Sequence, residues 1–170
     1  IERESQPGYH TTGRSAALFT ETYGPPTIRA LSRASARFFD APPEGFCANP
    51  LLSERGVLML ARADQMPALE ALYAEVAPKG EVRLVDAAEA RTMAPLLRAE
   101  YVAGGMAEPN ARDIDVHGLH HGYLKAFRAA GGETLTTADV RGLARTGSGW
   151  SIEAGRTTVL ADVVVNAAGA

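Results

Sequence analysis

Apolar and small residues recur at helical spacing in the first quarter of the chain. The positions concerned are Ile28, Leu31, Ala34, Ser35 and Phe38. Residues at this spacing share one face of an α-helix, so they predict a helix with one buried stripe. Pro25-Pro26 favours a helix start, and we expect the helix to end near Asp40, before Pro42-Pro43.

Short apolar runs and amphipathic segments alternate through the middle of the chain. The runs 56–61 and 82–85 predict strands. Between them, a second helical spacing is formed by Met66, Leu69, Leu72, Tyr73 and Val76. Asp86 followed by Glu89 has capping-box-like chemistry, which predicts the start of a short helix closed by Pro95.

The last third of the chain predicts one helix followed by strands. A helix is expected from about Asp115 to Ala130, stopped by Gly131-Gly132. Its inward residues are expected to be Val116, Leu119, Tyr123, Leu124 and Phe127. Three or four short strands then follow, the last being the apolar run 162–166, which is typical of a buried strand.

The alternation of strands and helices predicts an α/β fold. The alternation of strands and helices changes register near residues 40 and 112. We therefore expect two domains, one of which is formed by two separate stretches of the chain. Residues 1–40 and 112–170 are predicted to form part of a doubly wound nucleotide-binding domain. Residues 41–111 are predicted to form an inserted α+β lobe that contacts the substrate.

Composition narrows the class of partner. With 46% hydrophobic and 22% charged residues in 170 positions, the chain can bury a core. A net charge of -3 without a basic cluster argues against nucleic acid and favours a small-molecule partner. Cys47 is the only cysteine, which permits a reducing compartment. We therefore expect a cytoplasmic protein, with membrane association left open.

Two groups of reactive side chains have ordinary interpretations. His117, His120 and His121 place two imidazoles four residues apart on one helical face, but a metal site needs further ligands. A solvated helix face is the better interpretation, and we predict no metal. Cys47 has no adjacent basic residue, so an inert thiol is expected.

The segment Thr11–Ser15 has the ingredients of an anion cradle. Gly13 lets the backbone approach a phosphate, the neighbouring hydroxyls donate hydrogen bonds, and Arg14 supplies positive charge. A helix beginning near Ser15 would add its N-terminal amides. A polar loop with a helix cap is the alternative interpretation of the same residues.

Glu2 follows the apolar residue Ile1 and suits the end of a strand. In doubly wound nucleotide-binding folds, an acidic residue about 20 positions after a glycine-rich turn binds the ribose hydroxyls. No such turn precedes Glu2, because the sequence starts one residue earlier. We therefore expect roughly 30 residues of strand, turn and helix before Ile1, and this chain to be an interior part of a larger enzyme.

Several motifs in order make the chain resemble one enzyme family. They are Glu2-Arg3-Glu4, Gln6-Pro7-Gly8-Tyr9-His10, Thr12-Gly13-Arg14-Ser15-Ala16-Ala17, Asp113-Ile114-Asp115, Leu119-His120, Gly122-Tyr123-Leu124 and Val165-Asn166-Ala167-Ala168-Gly169-Ala170. Together they resemble the FAD-dependent D-amino-acid oxidase/dehydrogenase (DAO) family, and within it most resemble members that oxidise D-arginine. The resemblance covers essentially the whole chain.

The resemblance implies a cofactor, FAD, and residues that hold it. Glu2 would bind the adenosine ribose, with Arg3 beside the adenine and the Val140 backbone touching it. Residues of the segment Thr11–Leu18 would wrap the pyrophosphate and approach the flavin ring: Thr11, Thr12, Gly13, Arg14, Ser15, Ala16, Ala17 and Leu18. Ala168-Gly169 would form a tight turn beside the cofactor.

The resemblance also implies the reaction, oxidation of a D-amino acid to a 2-oxo acid through an imino acid. Tyr23 would close over the substrate from a loop. Members that oxidise D-arginine have a glutamate at the position of Val57 and a histidine at that of Leu18, so we expect apolar rather than cationic substrates here. The arginine that binds the substrate carboxylate would lie beyond Ala170, so this chain alone is expected to be inactive.

Three questions stay open on the sequence. The substrate could instead be a secondary amine such as sarcosine, or a 2-hydroxy acid, because relatives on this fold oxidise both. The chain could also be a non-catalytic module that holds an anion through Arg14 and the adjoining hydroxyls. Whether electrons leave to oxygen or to another acceptor is undetermined, so oxidase and dehydrogenase remain alternatives.

Overall fold

The computed structural model describes residues 1–169, so the final residue of the Val165–Ala170 motif lies outside the described part. The four helices are α1 (Pro26–Asp40), α2 (Met66–Val76), α3 (Ala87–Met93) and α4 (Val116–Ala129). The nine strands are β1 (Leu18–Phe19), β2 (Leu52–Glu54), β3 (Val57–Ala61), β4 (Arg83–Asp86), β5 (Gly104–Glu108), β6 (Arg112–Ile114), β7 (Val140–Arg145), β8 (Trp150–Ala154) and β9 (Thr157–Ala161). None of these helices is long and apolar enough to cross a lipid bilayer.

The chain folds as two compact units. The first, here the terminal unit, combines Ile1–Ser15 with the chain from Gly122 onward, and the second, the central unit, is Ala16–His121. These bounds differ from the predicted divisions near residues 40 and 112. Which unit binds nucleotide and which contacts substrate stays a prediction.

The central unit contains two antiparallel sheets, with strand orders β1-β6-β2 and β3-β5-β4. Every residue of β5 is buried, and its two faces pack into separate hydrophobic clusters that include Met106 and Ala107. A Cβ atom at Gly105 would lie 2.7 Å from the carbonyl oxygen of Met59. The close pairing of β3 with β5 therefore requires glycine at position 105.

The terminal unit is built on the antiparallel sheet β7-β8-β9. Ala138, Ile152 and Ala154 form its buried cluster. The N-terminal residues run alongside the segment before β7, because the Glu2 N–H donates to Leu135 and the Ala138 N–H donates to Glu2. Residue 2 is thus held by main-chain hydrogen bonds, although the expected strand there is not formed.

The structure confirms the predicted α/β class and most of the predicted elements. Helices α1, α2 and α4 and strand β3 lie where the apolar spacing places them. The Asp86 side chain caps α3 by accepting a hydrogen bond from the Glu89 N–H at 2.8 Å. Gly131, two residues after the end of α4, takes a left-handed conformation with φ of 84°.

The predicted buried stripe of α1 is wrong. Ile28 and Leu31 are exposed, Leu31 by 59%, whereas Arg29 on another face of the helix is only 6% exposed. The Arg29 guanidinium donates to the Gly24 carbonyl at 2.5 Å and pairs with Glu75 of α2. Because the Gly24 carbonyl and Glu75 both bond to the guanidinium, Arg29 can be buried without leaving its charge unpaired.

Two other expectations at the C-terminal end are wrong. The run 162–166 is not a strand, since among residues 1–169 it has no strand partner. Val164 packs against the Ile152 cluster while Val163 is 75% exposed. In α4, Tyr123 and Phe127 were expected to face inward but are exposed. Helical spacing predicts which residues share one face of a helix, but it does not predict whether another element packs against that face.

Candidate functional site

Glu2, the predicted ribose ligand, is half-buried in the terminal unit. Its main chain is fixed by the bonds to Leu135 (2.8 Å) and Ala138 (2.9 Å). Its Oε1 accepts a hydrogen bond from the Glu4 N–H at 2.9 Å, which orients the side chain. A carboxylate has about four acceptor positions, so the group can still accept ribose hydroxyls.

Val140, predicted to touch the adenine, is the first residue of β7 and pairs with Ala154 of β8. It follows Ala138, the residue bonded to Glu2, by two positions. The structure therefore brings the segment leading to Val140 beside Glu2. Glu2 and Val140 are more than 130 positions apart in the sequence, but both lie in the terminal unit.

Arg3 lies in a cluster of charged side chains at the surface of the terminal unit. Its guanidinium donates to Glu4 Oε1 at 3.1 Å, and His10 Nε2 lies 2.8 Å from the same oxygen. The hydrogen bond with His10, followed by that with Arg3, lowers the pKa of Glu4 below its ordinary value. This carboxylate joins the N-terminal segment to the start of the predicted phosphate loop.

The loop at residues 8–14 forms a tight turn. Residues Thr12–Arg14 form a 3-10 turn, and the Gly13 N–H donates to the His10 carbonyl at 3.1 Å. A Cβ atom at Gly13 would lie 2.4 Å from the Gly8 carbonyl oxygen. Glycine is therefore required here by the turn itself, whatever the loop binds. Thr11 and Thr12 are exposed on it.

Arg14 packs back on its own loop. Its Nε donates to the Tyr9 carbonyl at 3.1 Å, and its guanidinium carbon lies 4.6 Å from the centre of the Tyr9 ring. The helix expected to begin near Ser15 is absent, since Ser15 is extended (φ -75°, ψ 152°) and leads towards β1. The predicted cradle therefore consists of loop amides and side chains and has no helix N-terminus.

Ala16 and Ala17 belong to the central unit, where two contacts hold them. The Ala16 carbonyl accepts from Arg55 Nη1 at 3.4 Å, and the Ala17 carbonyl accepts from the Ile114 N–H at 2.7 Å. Ala17 has a φ of 52°, a left-handed conformation that costs a non-glycine residue about 1–3 kcal/mol. This strain falls inside the segment predicted to approach the flavin ring.

The predicted pocket residues lie on different elements of the central unit. Leu18 begins β1 and faces Asp113 of β6 in the ladder. Val57 begins β3, directly opposite Glu108 of β5. Tyr23 lies in the loop between β1 and α1, and 69% of its surface is exposed. Leu18 and Val57 are half-buried, so neither is a fully buried core residue.

Sequence reasoning missed Glu108, a carboxyl group that is only 6% exposed. It accepts hydrogen bonds from Thr20 Oγ1 at 2.6 Å, from Thr22 Oγ1 and from the Glu21 N–H at 3.2 Å. Glu108 also lines an open cleft of about 1060 Å³ in the central unit. The available signal was a glutamate closing the otherwise small and apolar run 104–108.

The C-terminal segment and the histidines of α4 make local contacts. In the terminal unit, the Ala168 N–H donates to Asn166 Oδ1 at 3.3 Å, and Gly169 has a φ of 85°. The His117 and His121 ring centres lie 4.1 Å apart, with the ring planes tilted by 33°. Within the described part of the chain, no three His, Cys, Asp or Glu side chains gather as a metal site requires.

The chain matches a family model described as FAD dependent oxidoreductase (DAO) over residues 1–170. This chain belongs to that family. FAD is therefore its cofactor. The terminal unit carries groups with the chemistry that the adenosine end of FAD requires, since the oriented Glu2 carboxylate can accept hydrogen bonds and the exposed Thr11 and Thr12 hydroxyls can donate them. That these residues bind FAD stays a prediction.

Solved structures share the fold at low sequence identity. Glycine oxidase from Geobacillus kaustophilus superposes with a TM-score of 0.75 at 20% identity, over 95% of this chain and 45% of that one. NikD, described as an unusual amino acid oxidase, gives 0.75 at 20%, over 95% and 42%. L-α-Glycerophosphate oxidase from Mycoplasma pneumoniae with FAD bound gives 0.73 at 12%, over 92% and 42%. This chain spans less than half the length of each.

Proposed function

We propose that the full-length enzyme oxidises D-amino acids with apolar side chains to 2-oxo acids. The family supports FAD-dependent oxidation, and two of the similar structures are described as a glycine oxidase and an amino acid oxidase. When bound, FAD accepts the two electrons removed from the substrate. The contribution of this chain is to bind FAD and to position and shield the substrate.

In the proposal, the residues that hold FAD are those that the family resemblance implies. Glu2 accepts the ribose hydroxyls, with Arg3 and Val140 near the adenine. Thr11 to Leu18 follow the pyrophosphate towards the flavin ring, and Ala168-Gly169 turn beside it. The contacts that support this assignment are the main-chain bonds that join Glu2 to the segment before Val140.

The preference for apolar side chains rests on Val57 and its neighbour Glu108. These residues face each other in the β3–β5 ladder, so their Cβ atoms lie about 4.5–5.5 Å apart on one face of the sheet. Glu108 is the nearby acidic group, but it already accepts three hydrogen bonds from the Thr20–Thr22 segment. A substrate guanidinium opposite Val57 would therefore lose water without gaining a bidentate carboxylate.

The test compares kcat/KM of the full-length enzyme for D-arginine, D-lysine, D-leucine and D-phenylalanine. We expect the apolar pair to be preferred, because burying an apolar side chain against Val57 and Leu18 contributes about 1.5–3 kcal/mol. Val57→Glu should shift preference towards the cationic pair, and the control Val57→Leu should not. A strong wild-type preference for D-arginine would overturn the apolar assignment and favour a D-arginine dehydrogenase.

The same assay separates the two alternative reactions. Sarcosine and a 2-hydroxy acid are included because the shared fold does not distinguish amine from alcohol substrates. The L-α-glycerophosphate oxidase among the similar structures illustrates that breadth. Turnover of either compound well above the D-amino acids would replace the proposed substrate class. Repeating the assay with oxygen and with an artificial acceptor identifies the acceptor class.

Tyr23 is proposed to close over the bound substrate. Its side chain is exposed on the β1–α1 loop and is therefore accessible to a ligand. Tyr23→Phe should change kcat or KM for the substrate while FAD affinity stays unchanged. Wild-type kinetics across the whole substrate panel would make Tyr23 only an anchor for the loop.

A further inference from the structure

Glu108 ties the end of β5 to a loop more than 80 residues earlier in the sequence. Its two carboxyl oxygens share three donors, the hydroxyls of Thr20 and Thr22 and the Glu21 N–H. The two threonine hydroxyls also lie 3.1 Å apart. Removing the acceptor from a buried group leaves the donors without partners, so the loop would have to rearrange.

A second contact holds the other end of the same loop. Arg29 Nη1 donates to the Gly24 carbonyl at 2.5 Å, and the buried Arg29 also pairs with Glu75. Tyr23 is the one residue between the Thr20–Thr22 contacts and the Gly24 contact. Its backbone is therefore held from both sides while its side chain remains exposed.

We infer that Glu108 is a positioning residue that holds the backbone of Tyr23 for substrate binding, with Arg29 as the opposite support. The inference rests on the proposed role of Tyr23 in substrate closure. Because the backbone is fixed at Thr22 and Gly24, closure occurs by rotation of the Tyr23 side chain rather than by a hinge movement of the loop. Glu108 does not itself touch the substrate.

The first test measures amide hydrogen exchange of the full-length protein over residues 19–25. Glu108→Gln replaces one carboxylate oxygen by an NH2 group, which cannot accept a hydrogen bond. The Thr20 and Thr22 hydroxyls and the Glu21 N–H are then left with one acceptor oxygen instead of two. We expect exchange at Glu21 and Thr22 to become about tenfold faster or more, the loss expected for a hydrogen bond to a charged group. The control Glu54→Gln removes a charge from the same cleft and should leave this exchange unchanged.

The second test is a kinetic double-mutant cycle with Tyr23→Phe. If Glu108 acts through Tyr23, Glu108→Gln should raise substrate KM or lower kcat at unchanged FAD affinity, and the two substitutions should combine non-additively. Thr22→Val removes one partner without altering β5 and should reproduce the effect in weaker form. The inference would be overturned if Glu108→Gln and Thr22→Val both lowered thermal stability while the kinetic effects of Glu108→Gln and Tyr23→Phe were additive.

The two tests fail separately. If Tyr23→Phe has wild-type kinetics, the proposed role of Tyr23 fails, and the exchange comparison still decides whether Glu108 positions the loop. If Glu108→Gln and Thr22→Val exchange like wild type over residues 19–25, the positioning role itself is wrong. Faster exchange confined to Glu108→Gln and Thr22→Val supports it.

Discussion

Glu2 offers the cleanest single-residue test of cofactor binding. Its main-chain bonds to Leu135 and Ala138 do not depend on its side chain, so substitution leaves the pairing in place. Glu2→Gln keeps the size of the side chain and an acceptor for the Glu4 N–H but removes the charge. Glu2→Ala also removes the acceptor.

The magnitude follows from the bond that each variant loses. A hydrogen bond from a ribose hydroxyl to a charged carboxylate contributes roughly 1.5–3 kcal/mol. That free energy corresponds to FAD affinity weakened roughly 10- to 150-fold in Glu2→Ala. Glu2→Gln should fall between Glu2→Ala and wild type, because an amide oxygen still accepts a neutral hydrogen bond.

The assay is titration of the full-length apoprotein with FAD, followed by flavin fluorescence. Glu133→Gln is the matched control, since Glu133 is exposed in the same unit, two residues before the Glu2 partner Leu135. The control should bind FAD like wild type. If Glu2→Ala also binds FAD like wild type, Glu2 is not a ribose ligand and the adenosine end lies elsewhere.

Three further predictions concern the local structure. Gly13→Ala should weaken FAD binding, because its Cβ would lie 2.4 Å from the Gly8 carbonyl oxygen and relieving the clash costs about 1–3 kcal/mol. Arg29→Met should lower the urea midpoint of unfolding, because it removes the hydrogen bond from the guanidinium to the Gly24 carbonyl. We expect the free energy of unfolding to fall by about 1.5–3 kcal/mol. The pKa of Glu4 is lowered, mainly by its hydrogen bond with His10. The contribution of the Glu4 carboxylate to folding stability is therefore complete above the ordinary pKa of glutamate and is lost as the pH falls through the pKa of the folded state. The stability difference between wild type and Glu4→Gln should therefore narrow on acidification below about pH 4.

Each of these has a contradicting result. Unchanged FAD affinity in Gly13→Ala would mean that the turn at residues 8–13 opens without affecting the cofactor. An Arg29→Met midpoint equal to that of Arg37→Met, a substitution of an exposed arginine on the same helix, would show that Arg29 is not a structural anchor. A difference between wild type and Glu4→Gln that is independent of pH would contradict the assigned cause of the pKa shift.

Local chemistry was readable from the sequence where neighbouring residues determine structure. The Asp86 cap, the start of α1 after Pro25 and the stop at Gly131 depend on side chains or backbone preferences within a few positions. Apolar periodicity also located α2 and β3. In these cases the local preference and the tertiary environment agree.

Expectations failed where the deciding partner lies far away in the sequence. The buried face of α1 is set by Arg29, whose ion-pair partner is 46 residues away on α2. Glu108 is 86 to 88 residues from its loop partners, a relation that spacing in one sequence does not reveal. The apolar run after Ala161 lacks a strand neighbour among residues 1–169, and apolar composition alone does not create one.

The flavin content of the purified full-length protein decides whether it is a flavoprotein. We expect a yellow protein that releases non-covalent FAD on denaturation. We also expect the apoprotein to recover flavin absorbance when it is titrated with FAD. A colourless protein that gains no flavin absorbance on titration would contradict the assignment of this chain as part of an FAD-dependent oxidoreductase.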